Sequence, residues 1–174
     1  MQKNWFVVYT KQHSERKVSL MLSKRRIENF CPLNYIKSKS LFWKTITFEP
    51  VFESYVFVNA TEEEIVNISR QVKEIISLLY WKGKPAKINE DEIDAIKEFT
   101  SNHTDIILEK ITAHQKSAKR DEVSYIMEGQ LLTVKNKAFK VDLPSLGFTM
   151  VANIPEHQVM GRSISFTNTE LMAQ

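Results

Sequence analysis

Short apolar segments alternate along the chain with stretches in which apolar residues recur at helical spacing. Residues 5–9 form an apolar and aromatic run that has high strand propensity and is too short for a helix. From residue 13 to residue 27, the apolar positions Val18, Met21 and Leu22 recur at helical spacing, and basic residues fall outside that stripe. The sequence therefore begins with a predicted central strand and an amphipathic helix whose outer face is basic.

The segment at residues 51–58 carries apolar side chains on both of its faces. With the two-residue period of a strand, Tyr55 and Phe57 share one face, while Phe52 and Val56 share the other. A small antiparallel sheet that is covered by helices on one side should be polar on the other side. Tyr55 and Phe57 therefore need a second cover, which is either another domain or a partner.

Two signatures of helix amino termini follow in the sequence. Thr61 with Glu64 and Asn89 with Glu92 have the spacing of capping boxes, and each pair precedes an apolar stripe of helical period. Residues 75–81, between these two helices, have the pattern of a strand. The predicted order of this part of the chain is β-α-β-β-α-β-α, a small antiparallel sheet flanked by helices.

The last third of the chain has the pattern of a small all-β unit, because short apolar segments are separated by glycine, asparagine and proline turn signals. The strand candidates lie at residues 123–126, 131–134, 138–143 and 148–154. We therefore expect an α+β protein of two domains. The predicted divisions are an amino-terminal domain at 1–110, a linker at 111–121, a β-barrel at 122–165 and a frayed tail at 166–174.

The composition is that of a globular protein, with 43% apolar and 26% charged residues in a chain of 174. No apolar run approaches the length of a membrane-spanning helix, and the first residues lack the pattern of a secretory signal. We expect a soluble, cytoplasmic monomer that does not associate with membranes.

The net charge of +3 hides a basic amino-terminal third. Residues 1–60 carry ten Lys or Arg against four Asp or Glu, whereas residues 61–114 carry seven against eleven. An excess of positive charge attracts phosphate backbones, although protein surfaces that bind no nucleic acid also carry an excess of this size. Charge alone therefore leaves nucleic-acid binding open.

Residue types that carry chemistry are scarce in this sequence. Cys31 is the single cysteine, the four histidines are scattered, and four glycines in the whole chain do not form a phosphate-binding loop. Cys31 lies between Phe30 and Pro32, a setting that favours a small buried hydrophobe over a nucleophile. We expect no catalytic residue, no metal site, no cofactor and no enzymatic activity.

Several segments resemble, in order, the signatures of the NusG family. For the amino-terminal domain they are W-F-V-V-Y-T-K at 5–11, F-C-P-L at 30–33, E-P-V-F-E-S-Y-V-F-V at 49–58 and G-K-P-A at 83–86. The later strands look like the family's carboxyl-terminal KOW domain, an SH3-like barrel, through G-Q-L-L at 129–132 and D-L-P-S-L-G-F at 142–148. The chain is more similar to specialised paralogues of the RfaH or UpxY type than to a housekeeping NusG.

The resemblance implies a transcription elongation or antitermination factor that suppresses pausing or termination at specific operons. Such a factor binds the clamp helices of the RNA polymerase β′ subunit and reaches toward the gate loop of the β subunit. The clamp-helix surface of the family is an apolar patch on the amino-terminal sheet. The matching positions are Phe52, Tyr55 and Phe57, with Tyr80 and Trp81 as weaker additions. In a specialised relative the carboxyl-terminal domain covers this patch, so packing and partner binding can use the same face.

The resemblance also places a basic residue near DNA at the position of Lys11. Arg16 and Lys17 lie one helical turn further along, so all three are expected to contact the non-template strand. Around residues 64–68 there is no His-Thr-Thr motif, so no residue is assigned to the β subunit. The KOW core has fewer glycines than is usual in the family, and contacts to Rho or to the ribosomal protein that NusG binds are therefore not expected.

The chain departs from the family motifs at two turns. Glu53 and Ser54 replace a Pro-Gly pair, and Arg26 stands where the family usually has glycine. These changes alter residues that favour tight turns, but neither removes the aromatic face.

Two other classes of function remain open from the sequence. A KOW-type RNA-binding or ribosome-associated module would bind RNA without polymerase and in a salt-sensitive way. An enzyme would need an acid–base or nucleophile set that the sequence does not show. The polymerase-bound factor is the principal prediction, and the RNA-binding module is its alternative.

Overall fold

The computed structural model describes residues 2–37, 46–111, 123–127, 130–135 and 138–153. For 123–127 and 130–135 it describes the backbone alone. Apart from Ile111, the predicted linker at 111–121 lies outside the described residues, and so does the predicted tail at 166–174.

The first sheet is antiparallel and built around the apolar run near the amino terminus. Its strands are β1 (Asn4–Thr10), β2 (Asn29–Phe30), β5 (Tyr55–Ala60), β6 (Ile75–Leu78) and β9 (Lys87–Ile88). The strand order is β2-β5-β1-β6, and β9 also pairs with β1. The prediction of a central first strand is confirmed, because β1 has neighbours on both edges and its Val7 and Val8 are fully buried.

Helices cover both faces of this sheet. The helices are α1 (Glu15–Lys24), α2 (Glu62–Gln71) and α3 (Glu90–Asn102). Val18 of α1 and Ile65 of α2 share a core with Val8 on one face, whereas Ile96 of α3 shares a second core with Val7 on the other face. Because successive side chains of β1 point to opposite faces of the sheet, this strand contributes residues to both cores. Within the described ranges, no helix is long and apolar enough to cross a membrane.

One of the two predicted capping boxes is present. At the start of α2 the Thr61 hydroxyl accepts a bond from Glu64 N at 3.2 Å, and the Glu64 carboxylate accepts one from Thr61 N at 2.8 Å. At the start of α3 the prediction is wrong, because Asn89 is the N-cap residue but its side chain accepts no capping hydrogen bond. The Glu92 carboxylate accepts a long bond from the Asn89 side chain, at 3.5 Å, and shorter bonds from a residue of the second sheet.

Two short antiparallel ribbons project from the first sheet. The strands β3 (Leu33–Lys37) and β4 (Ile46–Pro50) form one ribbon, and β7 (Tyr80–Trp81) with β8 (Lys84–Pro85) forms the other. The strand predicted at 75–81 is therefore interrupted. It breaks at Leu79, whose backbone N–H donates to the Val7 carbonyl oxygen at 3.0 Å.

The second sheet is five-stranded and antiparallel, in the order β10-β14-β13-β12-β11. Its strands are β10 (Ile107–Lys110), β11 (Val123–Met127), β12 (Gln130–Lys135), β13 (Ala138–Leu143) and β14 (Phe148–Asn153). The four strands predicted in this region are confirmed, and so is the α+β class. The fifth strand, β10, falls within the range 1–110 assigned to the first domain but pairs with β14. The domain boundaries themselves stay a prediction.

Candidate functional site

Three aromatic side chains meet where the chain turns from β4 into β5. The ring of Phe52 meets Phe57 edge to face, with centroids 5.5 Å apart, and stacks on Tyr55 at 6.5 Å. Tyr55 also contacts Tyr9 of β1, at 5.7 Å between centroids. We call Phe52, Tyr55 and Phe57 the aromatic cluster. The structure thus brings together three of the five residues that the sequence assigned to polymerase binding.

A buried carboxylate holds the turn that positions this cluster. Ser54 has a φ of 64°, and its N–H donates to Glu15 Oε1 at 2.6 Å while its carbonyl accepts from Thr10 N at 2.7 Å. Glu15 is 3% exposed, although it is charged. The sequence analysis missed this residue. Its burial was indicated by its position on α1. Glu15 lies three residues before Val18 and seven before Leu22, which places it on the buried stripe of the helix.

The two turns that lack the family's glycine keep a left-handed backbone. Arg26, after the end of α1, has a φ of 59°, close to the 64° of Ser54. Residues with a Cβ adopt this conformation at a cost of about 1–2 kcal/mol. Both turns therefore have the left-handed backbone that glycine favours, although the residue at each of them carries a Cβ.

The second sheet covers the aromatic cluster. The ring of Phe148 in β14 meets Phe52 edge to face, with centroids 6.3 Å apart. Phe52 is 2% exposed and Phe57 is fully buried, whereas Tyr55 at the margin is partly buried. Four buried residues of the second sheet belong to the same core as this cluster: Val141, Leu143, Met150 and Ala152. Of the two covers that the sequence left open, the structure shows the intramolecular one.

A charged hydrogen-bond network fastens the second sheet to α3. Glu92 Oε1 accepts from Ser145 N at 3.1 Å and from Ser145 Oγ at 2.8 Å, and Asn89 Nδ2 lies 3.4 Å from the same hydroxyl. Glu92 is 8% exposed, and its Oε2 is a buried acceptor without a hydrogen-bond partner in the described part of the protein. Because Asn89 Nδ2 also lies 3.5 Å from Glu92 Oε1, the network joins the N-cap residue of α3 to the second sheet.

A histidine lies between α3 and the second sheet. The His103 ring stacks on Phe99 at 4.4 Å and lies 4.9 Å from the ring of Phe139 in β13. Its Nδ1 is 3.0 Å from the Phe99 carbonyl oxygen, which can only accept, so the neutral ring donates from Nδ1. Burial lowers the pKa of His103, and this outweighs the Phe99 hydrogen bond and the charge of Glu98, which raise it.

The three residues predicted to contact DNA lie together at the start of α1. Lys11, Arg16 and Lys17 are all exposed. Lys17 Nζ forms a 2.6 Å salt bridge with Glu74, and the Lys11 N–H donates to the Glu74 carbonyl at 2.9 Å. The hydrogen bond from Lys17 is the main cause of the lowered pKa of Glu74. One of the three cations is therefore already paired within the protein.

Tyr80 and Trp81 lie apart from the aromatic cluster. They form β7, where they are 54% and 71% exposed. Among the described residues, neither ring belongs to the core that contains Phe52 and Phe57. The structure therefore does not bring these two residues into the cluster with which the sequence analysis grouped them.

Cys31 is half-buried, and its surroundings disfavour the thiolate. Burial, helped by the nearby carboxylate of Glu15, raises its pKa to about 11, so the thiol stays protonated near neutral pH. Across the described segments, no three residues of the metal-ligating types are grouped to hold an ion.

The sequence comparison identifies the family. The model of the NusG family, described as "Transcription termination factor nusG", matches residues 3–97, which include β1, the aromatic cluster and the start of α3. The chain belongs to the NusG family of transcription factors, whose members in general partner with RNA polymerase. No curated protein matches the sequence.

Two solved structures match the chain at low sequence identity. "Domain interaction in Thermotoga maritima NusG" is 17% identical, covers 88% of this chain and 94% of its own, and has a TM-score of 0.49. "Crystal Structure of MjSpt4:Spt5 complex conformation A" is 16% identical, covers 86% of this chain and 99% of its own, and has a TM-score of 0.33.

Proposed function

We propose that this transcription factor is an elongation or antitermination factor that binds the clamp helices of the RNA polymerase β′ subunit. Its contact surface is the aromatic cluster, and bound to polymerase it suppresses pausing or termination at specific operons. The supporting observation is that three aromatic rings converge on the segment at 49–58 that carries the most extensive family motif. Buried aromatic anchors are the residues that dominate protein interfaces.

Polymerase binding through this cluster requires the second sheet to move. Phe52 and Phe57 are inaccessible to solvent, Phe52 contacts Phe148 of the second sheet, and Tyr55 alone is partly exposed. The clamp helices and the second sheet therefore compete for the same aromatic rings. The described conformation is the closed form, in which the cluster is covered, and the polymerase-bound form is open.

The residues near the start of α1 supply a second contact in this proposal. Lys11 and Arg16 present cations toward solvent, and Lys17 exchanges its pairing with Glu74 for a phosphate of the non-template DNA strand. Such contacts would add affinity without reading sequence. The weaker assignment of Tyr80 and Trp81 to polymerase stays a prediction.

The test is saturable binding of the full chain to core RNA polymerase. We expect binding that an isolated fragment containing the β′ clamp helices competes away, and shorter pauses during transcription in vitro. Binding to RNA at equal strength with and without polymerase, together with no saturable polymerase binding, would favour the RNA-binding module instead.

A further inference from the structure

The turn that joins two rings of the aromatic cluster contains a left-handed residue. Tyr55 N donates to the Phe52 carbonyl at 3.2 Å, so these two residues are the ends of one β-turn. Ser54, the third residue of this turn, has a φ of 64°. Glycine favours that conformation at this position, whereas residues with a Cβ adopt it rarely. The conformation of Ser54 therefore depends on interactions from outside the turn.

Two hydrogen bonds from neighbouring elements hold Ser54. Thr10 N, at the end of β1, donates to the Ser54 carbonyl at 2.7 Å, and the Ser54 N–H donates to Glu15 Oε1 of α1 at 2.6 Å. Thr10, Glu15 and Ser54 are all buried. A buried N–H needs an acceptor within the protein, and hydrogen bonds to charged acceptors are the stronger kind. The Glu15 carboxylate thus stabilises a backbone conformation that the side chain of Ser54 disfavours.

The conformation of this turn determines how two rings of the cluster face each other. The planes of the Phe52 and Tyr55 rings are 8° from parallel. A rotation about the backbone of Ser54 lies between these two residues in the chain, so it would move the Tyr55 ring relative to the Phe52 ring. Tyr55 is also the partly exposed member of the cluster. Its position therefore decides what the edge of the cluster presents to a partner.

We propose that Glu15 is a positioning residue for polymerase binding, and that its bond to the Ser54 N–H keeps Tyr55 in the place where it contacts the clamp helices. This inference rests on the proposed function, because it assigns Glu15 to binding through the aromatic cluster. Glu15 acts through Tyr55 and does not itself touch polymerase. The buried carboxylate does at this turn what a glycine at position 54 would do without it.

The experiment measures the affinity of the full chain for core RNA polymerase, after a cooperative urea transition has been verified for each variant. Glu15→Met removes the acceptor but keeps a long side chain, and it should weaken binding about 10-fold, a loss typical of one bond to a charged group. Glu15→Gln keeps an acceptor oxygen and should bind within about 3-fold of the wild type. Glu90→Met is the matched control, because Glu90 is exposed on α3.

Two double variants provide readouts that a role in stability alone would not produce. Ser54→Gly added to Glu15→Met should restore the affinity to within about 3-fold of the wild type, because glycine adopts the left-handed turn without the carboxylate. In a Tyr55→Ala background, Glu15→Met should weaken binding by less than about 2-fold, because the residue through which Glu15 acts is already absent.

The outcomes separate this inference from the proposed function. If Tyr55→Ala weakens binding but a folded Glu15→Met protein binds as the wild type does, only the role of Glu15 is overturned. Stronger binding by Glu15→Met would also overturn it, since Glu15 would then act by stabilising the closed form. An equally large loss in the Tyr55→Ala background has the same meaning, as does failure of Glu15→Met to fold with or without Ser54→Gly. If Tyr55→Ala binds as the wild type does, the contact surface itself is overturned, and the role of Glu15 with it.

Discussion

Phe52 of the first sheet and Phe148 of the second sheet meet edge to face, with ring centroids 6.3 Å apart. Aromatic pairs of this kind contribute about 0.5–1.5 kcal/mol beyond the area that they bury. The contact lies on the surface that we propose for polymerase, so it links the stability of the closed form to function. The binding free energy of an interface with several aromatic anchors can exceed the contribution of this one contact, because truncating a single anchor commonly costs about 2–4 kcal/mol.

The bond between Glu92 and Ser145 should be a measurable part of the closed form. Ser145→Ala removes the 2.8 Å hydroxyl bond to a buried carboxylate and should lower the free energy of unfolding by about 1–3 kcal/mol. Urea unfolding of Ser145→Ala, Glu92→Ala and the double variant gives the coupling free energy between the two side chains. Additive effects, within about 0.5 kcal/mol, would contradict a direct interaction.

Glycine at the two left-handed turns should stabilise the protein. Arg26→Gly and Ser54→Gly should each raise the free energy of unfolding by about 0.5–1 kcal/mol, because relief of left-handed strain exceeds the entropic cost of glycine. Gly147→Ala is the matched control. It has a φ of 74° and open space around the added Cβ, so it should destabilise through backbone strain alone. Destabilisation by both glycine variants would show that these turns are unstrained.

His103 should make the stability of the protein depend on pH. Its pKa in the folded protein lies below the ordinary value of 6.5, so the unfolded chain takes up the proton first. Its contribution is therefore complete above about pH 6.5 and is lost as the pH falls from there toward the lower folded pKa. His103→Phe keeps a ring between Phe99 and Phe139 and removes the titration.

The measurement for His103 is the difference in unfolding free energy between variant and wild type, at about pH 7.5 and about pH 5.5. We expect the difference to shift in favour of His103→Phe at the lower pH. The other titrating groups are the same in both proteins, so their contributions cancel in this difference. A constant difference would mean that the ring takes up its proton equally well in the folded and unfolded states.

The basic residues near the start of α1 should contribute to salt-dependent binding of an elongation complex. If Lys11, Arg16 and Lys17 contact single-stranded phosphates, replacing each by glutamine should lower the slope of log affinity against log salt by about 0.7. Lys17→Gln should show the smallest loss of affinity, because the wild-type residue must first leave Glu74. Glu74→Gln is the matched variant and should strengthen binding. If the slope is unchanged in all three variants, Lys11, Arg16 and Lys17 do not contact DNA phosphates.

Local pattern in the sequence was sufficient for much of the fold. The strand at 5–9, the four strands of the last third and the Thr61 capping box were predictable, because each depends on neighbouring residues. The Asn89 capping box was wrong because Glu92 is bonded to Ser145, which is 53 residues away in sequence. The pairing of β10 with β14 is also long-range, and no local pattern encodes it.

The candidate site was predictable in part for the same reason. Alternation along the strand showed that Tyr55 and Phe57 needed a cover, but both a domain and a partner satisfied that requirement. The buried role of Glu15 was hidden because charged residues are rarely buried, although its position on the helix stripe was visible. Tyr80 and Trp81 were grouped with the cluster by resemblance, and the break at Leu79 carries them into a separate hairpin.

Tyr55 is the best residue with which to test the polymerase surface. Phe57 is fully buried, and its truncation would cost about 3–5 kcal/mol of folding stability, which would obscure an effect on binding. Tyr55 is partly buried at the edge of the cluster, so Tyr55→Ala should leave a cooperative unfolding transition. Tyr55→Phe keeps the ring and serves as the matched control.

The affinity of the full chain for core RNA polymerase, compared among wild type, Tyr55→Ala, Tyr55→Phe and Phe148→Ala, tests the central proposal most directly. We expect Tyr55→Ala to weaken binding by about 2–4 kcal/mol and Tyr55→Phe to bind nearly as the wild type does. Phe148→Ala should strengthen binding, because it loosens the cover without altering the cluster. Undiminished affinity of a folded Tyr55→Ala protein, together with weaker binding by Phe148→Ala, would contradict the assignment of the aromatic cluster to polymerase.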